Sequence, residues 1–325
     1  MSTETASGVT DEERIWVEKY RPDEISEVVG QDDITHRLQG YVDENEIPNL
    51  LFSGGAGIGK TTSAVALAKE IYGDEWKEHF LELNASDDRG IDVVRDRIKS
   101  FARSSFGNVE HRIIFLDESD SLTSDAQSAL RRTIEKFSDN VRFILSCNYP
   151  GQIIDPIQSR CSVMKFSPIS DEDIKQHLQT IADNEDIKVT DDGLEAIAYT
   201  ANGDMRRAVN ALQGTGVSGE VVDEDVVYRV TSVPRPEEIK EMVELAINDE
   251  FHEARLALDD LLTEKGLSGT GILSQIHRLV WDFNIDDDAA VEIMNSVGEA
   301  DYRITEGADD RIQLESLLAD ITKEI

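Results

Sequence analysis

The chain has 325 residues, with 67 acidic against 32 basic side chains and a net charge of −35 at neutral pH. No run of about 18 apolar residues occurs, so a helical membrane span is excluded, and the 39% hydrophobic content supports ordinary cores. The length suits two or three domains of roughly 100–200 residues each.

The first twelve residues are rich in Ser, Thr and Glu and have no apolar stretch, so they read as a disordered tail and not a signal peptide. A cytoplasmic location is expected. From there to Phe166, short apolar runs alternate with helical spacing. Asn49–Ser53 is a strand that stops at Gly54, and Lys60–Ile71 is a helix. Phe80–Leu83 is a second strand. Ile91, Val94, Ile98, Phe101 and Ala102 recur on one helical face. Arg112–Leu116 is nearly all apolar, as a strand buried on both faces must be. Ala126, Leu130, Ile134 and Phe137 mark another helix, Val141–Ser146 another strand, and Val163–Phe166 closes the series. Such alternation predicts an α/β domain with a parallel sheet, over residues 13–167.

Beyond Pro168 only helices are expected: Asp171–Glu185, Asp191–Ala201 and Asp204–Gly214, then a glycine-rich break at Gly214–Glu220 and a short helix. Pro234 and Pro236 mark a linker, and Glu237–Ile325 is helical without proline. The expected boundaries are a small helical domain over 168–233 and a larger one over 234–325. Cys147 and Cys161 have no CxxC partner or histidine cluster, so they read as buried small hydrophobes, not zinc ligands.

Gly54, Gly55, Ala56, Gly57, Ile58, Gly59, Lys60 and Thr61 fit the pattern GxxxxGK[ST] between a strand and a helix. Glycines let backbone N–H groups curl around a β-phosphate, Lys60 neutralises β/γ oxygens, and Thr61 is a candidate Mg²⁺ ligand. ATP and Mg²⁺ are therefore the expected cofactors. Arg112–Leu116 delivers Asp117 and Glu118 at its carboxyl end. Beside a P-loop, Asp117 reads as a second metal ligand and Glu118 as the group that polarises the attacking water. Asn148 follows the strand Val141–Ser146, Arg206 opens a helix of the small domain, and Arg160 lies between Ser159 and Cys161. Each could serve the γ-phosphate, and each could equally make a structural hydrogen bond or surface ion pair.

The charge is uneven. Ser86–Lys165 holds 12 acidic and 12 basic residues, whereas Pro234–Ile325 holds 23 acidic and 8 basic. Arg outnumbers Lys by 20 to 12. Thinned lysine on a strongly acidic chain fits a high-salt cytoplasm better than a protein that avoids nucleic acid. Arg95, Lys99 and Arg103 form a stripe on one helix, after Arg89. Asp92 and Asp96 lie at i+3 spacing to Arg95 and Lys99, so from sequence alone the stripe reads first as a salt-bridged solvent face.

Further motifs carry a family likeness: Trp16–Pro22, Val28–Gln31, Asn84–Ile91, Gln127–Thr133 and Ser159–Cys161. Together they resemble the small subunits of the archaeal replication factor C family, AAA+ loaders of sliding clamps, from about residue 13 onward. The resemblance implies an AAA+ domain, a lid and a helical collar. It implies that Val17, Arg21 and Val29 line the adenine pocket, that Gly54 to Thr62 hold phosphates, and that Asn148 and Arg206 are the two sensors. Arg160 is implied to act in trans on a neighbour's ATP. The implied partners are a large subunit, further small subunits in a pentamer, the clamp and primer–template DNA, with Arg89 and Arg95 facing the DNA and Lys99 on the same stripe. The edge at Ser100–Asn108 would touch the clamp, with Phe106 the better contact.

Relatives usually have Pro at the position of Gly55, Thr at that of Ile58 and Ala at that of Ser119; none of these changes should remove function. Two alternatives compete: another DNA-remodelling AAA+ ATPase such as a branch-migration motor, and a ring subunit that binds ATP without hydrolysing it. A branch-migration motor would end in a basic winged helix, and this chain ends in an acidic helical segment. Intact Lys60, Glu118 and Arg160 speak against the non-hydrolysing subunit.

Overall fold

A computed structural model of the chain describes residues 15–86, 91–103, 109–217 and 219–324, and the side chains of 91–95 and 324 fall outside that description. The expected tail therefore lies outside the described residues. Two compact units divide between Val222 and Asp223.

In the first unit, helices α1 (Trp16–Lys19) and α2 (Asp32–Asp43) precede strand β1 (Leu50–Ser53). There follow α3 (Lys60–Tyr72), α4 (Trp76–His79), β2 (Phe80–Asn84), α5 (Ile91–Arg103), β3 (Arg112–Asp117), α6 (Ser124–Phe137), β4 (Val141–Cys147), α7 (Asp155–Gln158) and β5 (Ser162–Lys165). The strands form one parallel sheet in the order β2-β3-β4-β1-β5. Alternate residues of each apolar strand enter opposite cores. Leu50, Phe52, Ile113, Phe115 and Ile144 pack with Leu38 of α2 and Leu67 of α3. Leu51, Ile114, Leu116, Phe143 and Leu145 pack with Ile98 of α5 and Leu130 of α6. Cys147 is buried in this second core, where burial pushes its thiol up to about 11. β1 lies between β4 and β5, so the loop after it opens at the carboxyl edge of the sheet, the ligand crevice of such folds.

Three helices complete the first unit: α8 (Asp171–Asn184), α9 (Asp191–Ala201) and α10 (Met205–Gly216). Each begins at a side-chain cap. Ser170 accepts from Asp173 N–H, Thr190 from Gly193 N–H and Asp204 from Arg207 N–H, which satisfies one of the unpaired N–H groups of a first turn. α10 runs two residues past the predicted break at Gly214. Glycine is there for close approach: a Cβ on Gly216 would lie 2.2 Å from Ile187 Cδ1.

The regular elements among the described residues of the second unit are helices: α11 (Glu224–Thr231), α12 (Pro236–Ile247), α13 (Phe251–Thr263), α14 (Gly269–Leu279), α15 (Asp287–Thr305) and α16 (Asp310–Glu324). Its core includes Ile239, Met242, Leu258, Ile276, Ile293 and Leu317. The prolines suggest a boundary near 234, yet α11 belongs to this unit. Arg235 pairs with Asp225, and its guanidinium lies 5.2 Å from the Tyr228 ring centre, so the segment after α11 is held by side chains.

Candidate functional site

The phosphate end of the candidate site grows from the β1–α3 turn. Ala56, Gly57, Gly59, Lys60, Thr61 and Thr62 line a cavity at the carboxyl edge of the sheet. Gly57 has φ +66°, and a Cβ there would lie 1.7 Å from Asp204 Oδ1, so glycine is required both for conformation and for space. Lys60 is 8% exposed, and its ammonium donates to Gly54 O at 2.7 Å, Gly55 O at 2.6 Å and Asn148 Oδ1 at 3.0 Å. Burial lowers its pKa from the ordinary lysine value, and the nearby Asp117 carboxylate partly offsets that. A desolvated cation with its donors aimed at the loop gains most from an incoming anion. Gly54, Gly55 and Ile58 are not part of the cavity lining. Ile58 is 3% exposed and packs in the core with Phe52 and Phe166. Its departure from the family's usual Thr is thus a packing choice. At Gly55 a Cβ would meet open space, so this backbone leaves room for the proline of relatives.

Adjacent strands β3 and β4 bring the acidic and polar groups together. Thr61 Oγ1 donates to Asp117 Oδ2 at 3.2 Å. A hydroxyl and a carboxylate side by side at the cavity are hard oxygen donors of the kind Mg²⁺ prefers. Glu118 adopts the left-handed conformation at φ +50° and lines the cavity. Ser119 is buried and donates to Leu116 O at 2.8 Å, so its hydroxyl is engaged by a strand carbonyl. Asp120 is a residue that sequence reading passed over. Its Oδ2 accepts from Asn148 N–H at 3.0 Å and Tyr149 N–H at 2.9 Å, tying the loop after β3 to the end of β4. Asn148 lines the cavity, and its amide oxygen reaches Lys60.

Val17, Val28, Val29, Ile169, Met205 and Val209 form the apolar part of the lining, together with Arg21, His177 and Arg206. Burial lowers the pKa of His177. Helix α10 closes on the P-loop through Met205 N–H to Gly57 O at 3.0 Å. Gln31, whose motif was noted without a role, is 5% exposed and donates to Ile58 O at 3.2 Å and Ser167 O at 2.7 Å. It joins the P-loop to the segment that leads into α8.

Arg160 does not line this cavity. It is exposed, pairs with Glu135 Oε1 at 2.7 Å and donates to Pro156 O at 2.7 Å. Lys99 pairs with Asp96 at 3.0 Å, as a salt-bridged solvent face would have it. Arg89, Phe106 and the side chain of Arg95 lie outside the described residues.

Three family profiles match in succession. The ATPase family associated with various cellular activities matches residues 50–169, the RCF1/5-like AAA+ ATPase lid domain 176–215, and the replication factor C C-terminal domain 234–320. The chain is 60% identical to the replication factor C small subunit of Haloarcula marismortui over 311 residues, covering 96% of both chains. It is 60% identical to that of Natronomonas pharaonis over 95% of both. It is 52% identical to that of Archaeoglobus fulgidus over 94% of this chain and 96% of that one. Among solved structures, the Thermotoga maritima RuvB Holliday junction branch migration motor aligns with a TM-score of 0.55 at 19% identity, over 76% of this chain and 85% of that one. That likeness is one of fold alone. The chain belongs to the replication factor C small-subunit family of AAA+ ATPases, the clamp loaders of DNA replication.

Proposed function

We propose that the cavity binds ATP with Mg²⁺, and that its hydrolysis drives a complex of this chain, further small subunits and a large subunit to open a sliding clamp and place it on primer–template DNA. The expected complex is a pentamer at work in the cytoplasm; no helix among the described residues is long and apolar enough to cross a membrane. The observation that carries the reading is convergence: Lys60, Thr61, Asp117, Glu118, Asn148 and Arg206, drawn from separate segments, line one cavity.

Roles follow from position. Backbone N–H groups from Gly54 to Thr62 and the start of α3 would cradle the phosphates, and Val17, Arg21 and Val29 would enclose the base. Lys60 would exchange its loop carbonyls for β/γ oxygens. Thr61 and Asp117 would hold Mg²⁺, which supplies charge neutralisation to the phosphates when bound. Glu118 would accept hydrogen bonding from the attacking water, and Asn148 would fix that water or the γ-phosphate. Arg206 would meet the γ-phosphate from the lid. Arg160, which does not line its own cavity, would leave its contacts with Glu135 and Pro156 O to serve a neighbour's ATP. Arg89, Arg95 and Lys99 would meet DNA phosphates, contacts that carry no base information and suit a loader acting at any primer end.

A pair of variants tests the reading. Lys60→Ala should abolish ATP binding measured at equilibrium with labelled nucleotide. Glu118→Gln should bind ATP yet hydrolyse it roughly 10²-fold more slowly, since the amide keeps the shape but cannot act as a base. Near-normal ATP affinity in the first, or near-normal turnover in the second, would remove that residue from its role.

A further inference from the structure

The segment from Trp16 to Pro22 walls part of the cavity, yet it has little means of holding its own place. α1 is four residues long, buries none of them and has no side-chain cap, whereas isolated helices shorter than about 12–15 residues are marginal in water. Its position must come from what it is tied to. Glu185, just past the last turn of α8, accepts from Lys19 Nζ at 2.6 Å and from Tyr20 Oη at 2.5 Å, both on Oε1. Trp16 N–H donates to Gln213 Oε1 of α10 at 3.2 Å. On the far side, Ile25 N–H donates to Glu70 Oε1 of α3 at 2.7 Å, and Asp23 pairs with Lys69 of the same helix. Residues 16–25 are therefore a bridge between the lid helices and the helix that begins at Lys60, and Val17, Arg21 and Pro22 face the cavity between the two anchors.

We propose that Glu185 is a positioning residue for nucleotide retention: by holding Lys19 and Tyr20 to the lid, it sets how long the nucleotide stays in the cavity, while leaving the chemistry at the phosphates alone. This rests on the nucleotide reading of the cavity. Both donors meet one oxygen, so loss of the carboxylate frees both together and leaves α1 tied to the lid through the Trp16 N–H bond. Glu185 is 18% exposed, so the pair is partly shielded from solvent. Burial acts to raise its pKa, but the hydrogen bonds from Lys19 and Tyr20 hold it below the usual carboxylate range. The carboxylate is not among the cavity-lining groups, so it acts through the wall and not on the nucleotide.

The test is release of a fluorescent ADP analogue from the full chain by stopped flow, with steady-state hydrolysis by the assembled complex, all in one molar-salt buffer. In Glu185→Ala, release should quicken by roughly 5- to 20-fold and KM for ATP should rise by a similar factor, while kcat stays within about twofold. Lys19→Met should move release in the same direction by less, and it decides the matter if Glu185→Ala fails to fold. The charge swap Lys19→Glu with Glu185→Lys should bring release back toward the wild-type rate, a recovery that a loss of general stability would not give. Unchanged release in folded Glu185→Ala and in Lys19→Met overturns the proposal, as does a fall in kcat with release unaltered. A wild-type chain that binds no ADP analogue overturns the nucleotide reading, and this inference with it.

Discussion

At the scale of single residues, Asp120 ties together two segments that carry proposed catalytic groups. Its two bonds from Asn148 N–H and Tyr149 N–H fix the end of β4 against the loop that carries Glu118. Removing the acceptor leaves two backbone donors on exposed residues, which water can satisfy, so the loss is one of the tie itself more than of stability. Asp120→Ala should therefore keep ATP affinity within a few-fold while hydrolysis falls by roughly tenfold, because Asn148 loses its place. Asp120→Asn, which keeps one acceptor oxygen, should recover part of the rate. A wild-type rate in Asp120→Ala, measured at saturating ATP, would mean that Asn148 is placed by other contacts. The P-loop was legible in the sequence because backbone geometry dictates its spacing within eight residues. Asp120 was not, because its role depends on β3 lying beside β4, and its partners are 28 and 29 residues away.

At the scale of elements, strand and helix identities followed from local pattern. Arg112–Leu116 and Val141–Ser146 are apolar on both faces, and α8, α9 and α10 announce their starts with Ser170, Thr190 and Asp204. The strand order was not legible, because alternation predicts a parallel sheet and leaves the sequence of neighbours open. Helix α2 was not read from the sequence although it has 12 residues, and the short helices α1, α4 and α7 escaped because each has four residues, too few for a period to show. α7 matters nonetheless: Pro156 within it holds the Arg160 guanidinium through its carbonyl, and Glu135 on α6 holds the other side. Arg160 is thus presented on the surface by two elements and kept out of its own cavity. If it serves a neighbour, Arg160→Ala subunits should bind ATP normally and hydrolyse it poorly. Mixing in Lys60→Ala subunits, which offer an intact Arg160 and bind no ATP, should restore part of the turnover at mixed interfaces. No recovery at any ratio, with mixed complexes confirmed by mass, would show that Arg160 acts within its own chain or only structurally.

At the scale of the whole molecule, charge is the feature that composition stated and motifs did not explain. A net charge of −35 repels DNA at low salt, and molar salt, with a Debye length of about 3 Å, screens that repulsion. The same salt weakens phosphate contacts, since counterion release contributes less as salt rises. A few arginines on one chain would then give little affinity. On the proposed function, assembly would change the arithmetic: several copies of Arg89 and Arg95 around one duplex would let later contacts form at high effective concentration. The balance of 12 acidic and 12 basic residues in Ser86–Lys165, against 23 and 8 in Pro234–Ile325, is the reason for proposing that face in the first unit. Arg89→Glu with Arg95→Glu should therefore abolish DNA-stimulated ATPase and leave basal ATPase and assembly intact. The control must not break an existing pair. Arg303 and Arg311 are unsuitable, because they pair with Glu299 and Asp259 and their reversal would set like charges together. Lys323→Glu changes the charge of the second unit on an exposed side chain, and it should leave DNA stimulation unchanged in the same high-salt buffer, with assembly followed by light scattering. Lys99→Met gives an intermediate case: its partner Asp96 already neutralises it, so removing its charge should reduce stimulation only weakly. Full DNA stimulation in the Arg89 and Arg95 double variant would make the stripe on α5 a solvent face, and the DNA contacts would then have to come from other residues of the chain.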